Sequence, residues 1–529
     1  MSLNIESLKF VIFGNGHDYT LLDSGDGDTQ VFSHPFVPLN SVMYAGQWYF
    51  IVPDENGEPI DPIKDDLAHC TFTPDLGDAF DTVGEIEVKC HYHREYVYPE
   101  STIVVDKEVK QTIEVVDHGN VARQAGVYGG KYYGSDIYDD GYCFMHPQNV
   151  NDLANVSMCV PWSDNSIKKI SSLWWRVTQI GYTEFIRSTA LEDISELEYA
   201  DVSNVTIIKT LITDAVAEID LSPIGGWDTS KVEEFHLLNT CRGIKTLKGI
   251  EKLNTSKVKD ISQFVITCQS LVDISALYDL DFSEVVNMYG FLSGNTALED
   301  LTGLDGIKPE KVENLDSAFA YDSAIKNVDA LIGWTCKPKT TRAMLQNCTA
   351  LMNFGGLVNF DMSENEDASE MFSGDGKLTN LHGGENWVFS MLKTANKMFN
   401  GCVWISDISA SANWGMSACE NFAHMYLGNA MITDLSPISG WNVSSAVEPY
   451  MLMGMFTGYR SYYSQAIGKD VWVNNMSHYF DYEGNQYAYV VVQPTIEYVK
   501  DASGVANWDV QSTPANAFGD GWTNIPAWN

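Results

Sequence analysis

The sequence predicts a multidomain chain in which an all-β sandwich is followed by an α/β repeat solenoid of about ten coils, each 26–27 residues long. Three observations predict it. A motif returns at a nearly constant step through the middle of the 529 residues. Apolar residues keep fixed offsets inside each copy. The first 118 residues alternate apolar and polar side chains with the two-residue period of strands.

The repeat is clearest where Trp227-Asp228-Thr229-Ser230-Lys231-Val232 returns as Leu253-Asn254-Thr255-Ser256-Lys257-Val258. Weaker copies begin at Ala200, Leu280, Ile307, Trp334, Phe360, Trp387, Trp414 and Trp441, so every step is 26 or 27 residues. One apolar ladder runs Val205, Val232, Val258, Val285, Val312; a second runs Ile244, Leu271, Leu298, Ile325, Leu351, Leu378, Ile405, Ile432. A third, three residues later, runs Leu247, Ile274, Leu301, Val328, Phe354, Leu381, Ile408, Leu435. Like side chains set over like bury a core that one coil alone cannot bury.

Within a coil, Val285, Met288 and Leu292 are spaced i, i+3, i+7, as are Val312, Leu315 and Phe319, which predicts a helix in the first half. The preceding Thr-Ser is the expected N-cap. The second half, Leu-x-x-Leu-x-x-Leu, reads as the short strand of a leucine-rich repeat. Cys241, Cys268, Cys348 and Cys402 recur at one place, with Gly294, Gly374 and Gly428 in the matching neighbourhood, so the position is read as one that asks for a small buried side chain.

Together, Trp-Asp-Thr-Ser-Lys-Val, the Met398-Phe399-Asn400-Gly401-Cys402 centre and Leu-x-x-Leu resemble the BspA-like leucine-rich-repeat surface-protein family over about residues 190–457. The resemblance implies an adhesion or interaction protein without catalytic residues. The copies at Trp334 and Phe360 depart from it by losing the Thr-Ser-x-Val core.

The flanks divide the rest. Residues 1–118 carry β-rich runs at 8–13, 48–52, 85–93 and 111–116, which predicts an immunoglobulin-like sandwich. Thr73-Pro74-Asp75-Leu76-Gly77 is similar to a phrase in immunoglobulin-like modules of bacteriophage structural proteins. Residues 119–190 form a Gly/Tyr-rich bridge and N-terminal cap, and 191–457 the solenoid. Residues 458–507 form a tyrosine-rich insertion, and 508–529 a partial copy with a C-terminal cap ending at Trp528 and Asn529.

Chemistry-bearing patterns are few. His91 and His93 share a strand face, without a third metal ligand in the sequence pattern, and Asp23-Ser24-Gly25-Asp26-Gly27-Asp28 lacks the spacing of a calcium loop. The triplets at Asn204, Asn254 and Asn442 fall on the capping motif and read as caps rather than glycosylation sites. No catalytic constellation, metal site or cofactor motif stands out, so the chain is expected to be non-enzymatic and cofactor-free. The candidate binding residues are Tyr462, Tyr463, Tyr479, Tyr482, Tyr487 and Tyr489.

Composition sets the partners. Hydrophobic residues make up 45% and charged residues 19%, as in a globular chain, and the net charge is −39 with a pI near 4.4. Such a chain is repelled by phosphate backbones and anionic lipid, which excludes nucleic acid as an expected partner. There is no apolar run for membrane insertion. With Met1 as the start, the N-terminus has neither the basic nor the apolar stretch of an export signal.

The expected function is therefore that of a bacteriophage virion structural or adhesion protein: a head or tail decoration, fibre or receptor-binding protein. The N-terminal domain is expected to join other virion proteins, and the solenoid to meet a host surface protein or glycan, in an arrangement that leaves room for an oligomer. The alternative is a bacterial cell-surface adhesin. A cell-wall-degrading enzyme with binding repeats ranks third.

Overall fold

A coil that cannot bury its own ladder must also satisfy its backbone amides and carbonyls against the next coil. The computed structural model shows how. It describes residues 202–429 and 431–446 without a break, then 134–146, 165–170, 179–181, 184–200, 455–456, 500–509, 517–518 and 522–528, with shorter strand runs within 12–132 and 460–488. Among the described residues the repeat region is a parallel β-solenoid with almost no helix; the chain divides into two compact units, residues 1–232 with 252–254, and 233–251 with 255–529.

In the second unit one ladder of parallel bridges links Glu234, Asp260, Asn287, Asn314, Thr340, Asp367, Thr394 and Asn421 in turn. Beside it the amides alternate in their duty. Met288, Gly290, Leu292 and Gly294 donate to the carbonyls of Asn314, Asp316, Ala318 and Ala320 in the next coil at 2.8–2.9 Å. Phe291 and Ser293 instead close tight turns onto Met288 and Gly290.

These turns need two left-handed residues per coil, four apart. They are Gly290 and Gly294 (φ 59° and 82°), then Ser317 and Tyr321, Ala343 and Asn347, Glu370 and Gly374, and Lys397 and Gly401. A non-glycine residue in this region costs about 1–2 kcal/mol. It persists because the next coil's carbonyls hold each amide in place.

The helix expected in the first half of the coil is therefore corrected: no α-helix is found among the described residues 200–446. Val285, Met288 and Leu292 are buried as predicted. Their three- and four-residue spacing comes from left-handed turns, which return the chain to the core at the intervals a helix would. Short 3-10 helices occupy the second half, at Ser275–Leu277, Asp329–Gly333, Gly355–Leu357, Ser409–Asn413 and Ser436–Ile438. Each follows a residue whose side-chain oxygen accepts the amide two positions on: Asp273, Asn327, Asn353, Asp407 and Asp434. The Thr-Ser cap is corrected too. Asp228 accepts the Ser230 amide, and the Thr229 hydroxyl is buried and donates to the Asn254 carbonyl at 2.9 Å.

The predicted core ladder holds: Leu271, Leu298, Ile325, Leu351, Leu378, Ile405 and Ile432 are all at most 1% exposed. Aromatic columns run beside it. Trp387, Trp414, Trp441, Trp508 and Trp528 stack in sequence with centroids 5.6–6.2 Å apart. Each of Trp387, Trp414 and Trp441 donates its indole N–H to a carbonyl 30 residues earlier, at 2.8–3.1 Å. A large ring is buried this way without leaving its N–H orphaned.

The stack continues across the tyrosine-rich insertion. Asp434 bridges Asp501, 67 residues on where the period is 27, which leaves 40 residues looped out. Phe456 bridges Phe518, the Trp508 indole reaches the Ile438 carbonyl, and half-buried Trp528 closes the tryptophan column.

In the first unit, Ile186–Arg187 pairs with Ile212–Thr213 and Gln179–Ile180 with Ile207–Ile208, both parallel. Upstream, Val121–Gln124, Gly134–Tyr138, Tyr142–His146 and Lys169–Ile170 form one sheet. Gly84–Val97 and Thr102–Val115 make a hairpin paired over 14 residues, flanked by Cys70–Thr73. Strands are present at Ile12–Gly14, Phe50–Pro53, Gly84–Val97 and Thr102–Val115, and the described residues of this region form hairpins and a three-stranded sheet; they do not show the two packed sheets of an immunoglobulin-like sandwich.

Two substitutions separate backbone geometry from packing. A methyl group on Gly383 (φ 113°) runs into the Phe354 carbonyl oxygen, whereas one on Gly376 meets only the Val403 side chain at 3.9 Å. Gly383→Ala is expected to destabilise the second unit by about 1–3 kcal/mol, with Gly376→Ala near neutral, as read by urea titration. Leu298→Ala, at a fully buried site, should cost about 2–5 kcal/mol in the same assay.

Candidate functional site

The register places a single buried polar column inside the second unit: Cys241, Cys268, Asn295, Asp322, Cys348, Asp375, Cys402, Asn429. The glycines matched to the cysteines by sequence lie one residue earlier, on the left-handed site. Small size is therefore not the requirement. At four positions the column carries a hydrogen-bond donor aimed at the preceding coil, whereas the Cys241 and Cys268 thiols donate within their own coil, to Asn239 and Ile266 at 3.5 and 3.6 Å. Asn295 and Asn429 donate their side-chain N–H to the carbonyls of Val265 and Phe399 at 2.9 and 2.8 Å. The Cys348 and Cys402 thiols donate to Phe319 and Phe372 at 3.1 and 2.9 Å. Burial pushes both thiols well up, and holds Cys336 and Cys419 at about 12.

Outside, one column alternates in charge: Glu233, Lys259, Val286, Glu313, Lys339, Glu366, Lys393, Glu420. Lys259 pairs with Glu233 and Lys339 with Glu313, both at 2.8 Å, and Lys393 with Glu366. Like charges set over each other would repel, so alternation keeps the register. Much of the acid excess is turn chemistry, since Asp193, Asp220, Asp260, Asp281, Asp300 and Asp367 each cap a backbone amide. Part of the acidity is thus a consequence of the fold.

Three clusters could carry chemistry. In the first unit, Glu196 accepts the Tyr142 hydroxyl at 2.9 Å and lies 3.6 Å from the Lys169 ammonium, which also pairs with Asp193 at 3.1 Å. Burial of the carboxylate end raises Glu196 to about 7 against the opposing pull of Lys169, although the side chain as a whole keeps 16% of its surface. Both oxygens are engaged, so the cluster ties the bridge strands to the first coil. On the long hairpin, Asp106 faces both His91 (2.5 Å) and His93 (3.4 Å), a carboxylate that spacing along one strand could not reveal. Among the described residues no group is arranged to hold a metal ion. In the second unit a polar cleft is lined by Asn380, His382, Glu385, Asp407, Ser409 and Asn413. Its histidine is raised by the Glu385 carboxylate it touches.

The tyrosines singled out by sequence lie in the insertion. Tyr462 and Tyr463 sit on strand Arg460–Ser464, Tyr479 on His478–Phe480 and Tyr487 on Gln486–Ala488; Tyr482 and Tyr489 lie outside the described residues, as does the acidic run 23–28. Arg460–Ser464 pairs with Lys469–Val473, and His478–Phe480 with Gln486–Ala488, so the insertion contains two hairpins.

Four overlapping segments, residues 183–301, 237–354, 300–410 and 368–486, match the family described as Mycoplasma protein of unknown function, DUF285. Together they cover more than half of the chain. The chain belongs to this family. The DUF285 match opens between the paired strands Gln179–Ile180 and Ile186–Arg187 and runs into the insertion. In this chain the matched repeat is a β-solenoid coil, with the buried polar column running from Cys241 to Asn429. No curated protein matches the chain.

Two outcomes follow from the titrating groups. Cys336, Cys348, Cys402 and Cys419 should resist maleimide in the folded state and react after denaturation, as mass spectrometry would show; native labelling of Cys348 or Cys402 contradicts the column. Glu196 has a folded pKa above its unfolded value, so its contribution is present below about 4.5 and lost as pH rises through about 7. Glu196→Gln should flatten thermal stability across that window.

Proposed function

We propose that this protein is a non-enzymatic recognition protein whose solenoid is a rigid scaffold for the tyrosine-rich insertion. The observation that carries the reading is register: coil-on-coil pairing resumes at Asp501 with 40 extra residues and at Phe518 with 35, so the insertion is an addition the scaffold does not need. Material looped from a stable stack is suited to contact another molecule, and tyrosine is a residue of contact surfaces. Sequence supports the surroundings of this reading: the resemblance to BspA-like surface proteins implies adhesion, and the likeness of Thr73-Pro74-Asp75-Leu76-Gly77 to a phrase in immunoglobulin-like modules of bacteriophage structural proteins favours assembly into a bacteriophage particle. The host ligand is then a surface protein or glycan, with residues 1–118 as the attachment module. A second reading, a bacterial cell-surface adhesin, is favoured by the family's description as Mycoplasma proteins.

Replacing 458–499 with a short linker should leave the thermal transition of the solenoid in place and abolish binding to host cells. Retained binding assigns recognition to the coils instead, and loss of folding overturns the scaffold role. Co-sedimentation with virus particles or with cell envelopes separates the two readings.

A further inference from the structure

The donor column contains two residues that, as carboxylates, cannot donate. At four of its positions the side chain reaches one carbonyl, the group three residues before the column residue of the preceding coil: Val265, Phe319, Phe372 and Phe399. The same register places Asp322 at the Leu292 carbonyl and Asp375 at the Leu345 carbonyl. Both aspartates are fully buried. Asp322 accepts the Asn295 amide through Oδ1 at 2.6 Å, and its Oδ2 has no partner. Asp375 receives no well-formed hydrogen bond on either oxygen, although the Cys348 amide lies beside it. An ionised carboxylate here would set unpaired lone pairs against a carbonyl oxygen in a dry interior.

We propose that Asp322 and Asp375 are carboxylic acids in the folded solenoid, donating their O–H to the carbonyls of Leu292 and Leu345, and that losing these protons loosens the middle of the stack. The pair is a base-sensitive latch. Asn, Cys and protonated Asp share the column because each presents a donor at the same height. The titratable neighbours are the thiols of Cys348, which lies between the two aspartates, and Cys402, which follows Asp375. Burial drives both carboxyls well above the ordinary range, and no cation contributes at either. The folded pKa of each lies above its unfolded value of about 4. Stability is therefore greatest below that value and declines as pH rises towards the folded pKa, because the folded state holds protons that the unfolded chain releases.

The test is thermal unfolding of the full chain from pH 5 to 9 for the wild type, Asp322→Asn with Asp375→Asn, and Asp375→Cys. Asn and Cys already stand in this column, so both variants should fold, with midpoints above wild type at pH 8 by a few degrees and a gap that narrows towards pH 5. Cys348→Ser controls for disturbance of the column without removing an acid. Infrared spectra supply a second readout, taken in a Glu196→Gln background because Glu196 is itself raised to about 7: a protonated-carboxyl C=O band at pH 7 that adding Asp322→Asn with Asp375→Asn removes. A pH slope unchanged in the double variant, or no such band, overturns the proposal.

Discussion

Hydrogen bonding from each coil's main chain to the next is the constraint on which the rest depends. At 288–294 every second amide is committed to the following coil, and the amides between close turns within their own coil. This division fixes where the backbone must be left-handed. It also places each side chain over its counterpart one period away, so every position becomes a column. Columns then impose their own rules: apolar residues stack, indoles donate to the carbonyl 30 residues back, and exposed charges alternate in sign.

Seen as columns, the unusual composition has ordinary causes. Aspartate is frequent because coil corners need a short side chain that accepts an amide two residues on, as at Asp273, Asp407 and Asp434. Lysines are spent pairing with carboxylates of the adjacent coil, as Lys326 does with Glu299 at 2.5 Å. Cysteine recurs because a thiol is a compact buried donor. None of these features requires a ligand, and the insertion after Phe456 is a long segment that the register of the coils passes over.

On the proposed function, the buried column and the insertion divide the work between fold and contact. The column keeps the stack specific in register, since a slip by one residue would set donors against the apolar ladders. The insertion is free of that discipline, and residues there can change without breaking the coils. A scaffold with strict interior rules and one permissive loop suits a protein that must keep its fold while its contact surface varies.

By itself the sequence determined the period, the three apolar ladders and the strand-rich N-terminus, because a stacked repeat writes each buried column at a fixed interval; it set the resumption of the coils at Trp508, whereas coil pairing is already back at Asp501. It misread the local backbone. Val285, Met288 and Leu292 satisfy helical spacing and tight-turn spacing alike, and only the coil-to-coil hydrogen bonds decide between them. It also misassigned the cysteine column by one residue, since Gly294 and Asn295 are neighbours in the chain yet serve different needs, a left-handed turn and an inward donor. Asp106 beside His91 and His93, and Glu196 beside Tyr142 and Lys169, were invisible because their partners come from other strands or from the next coil. Spacing along one strand records what that strand repeats. What meets it from outside is set by the tertiary structure.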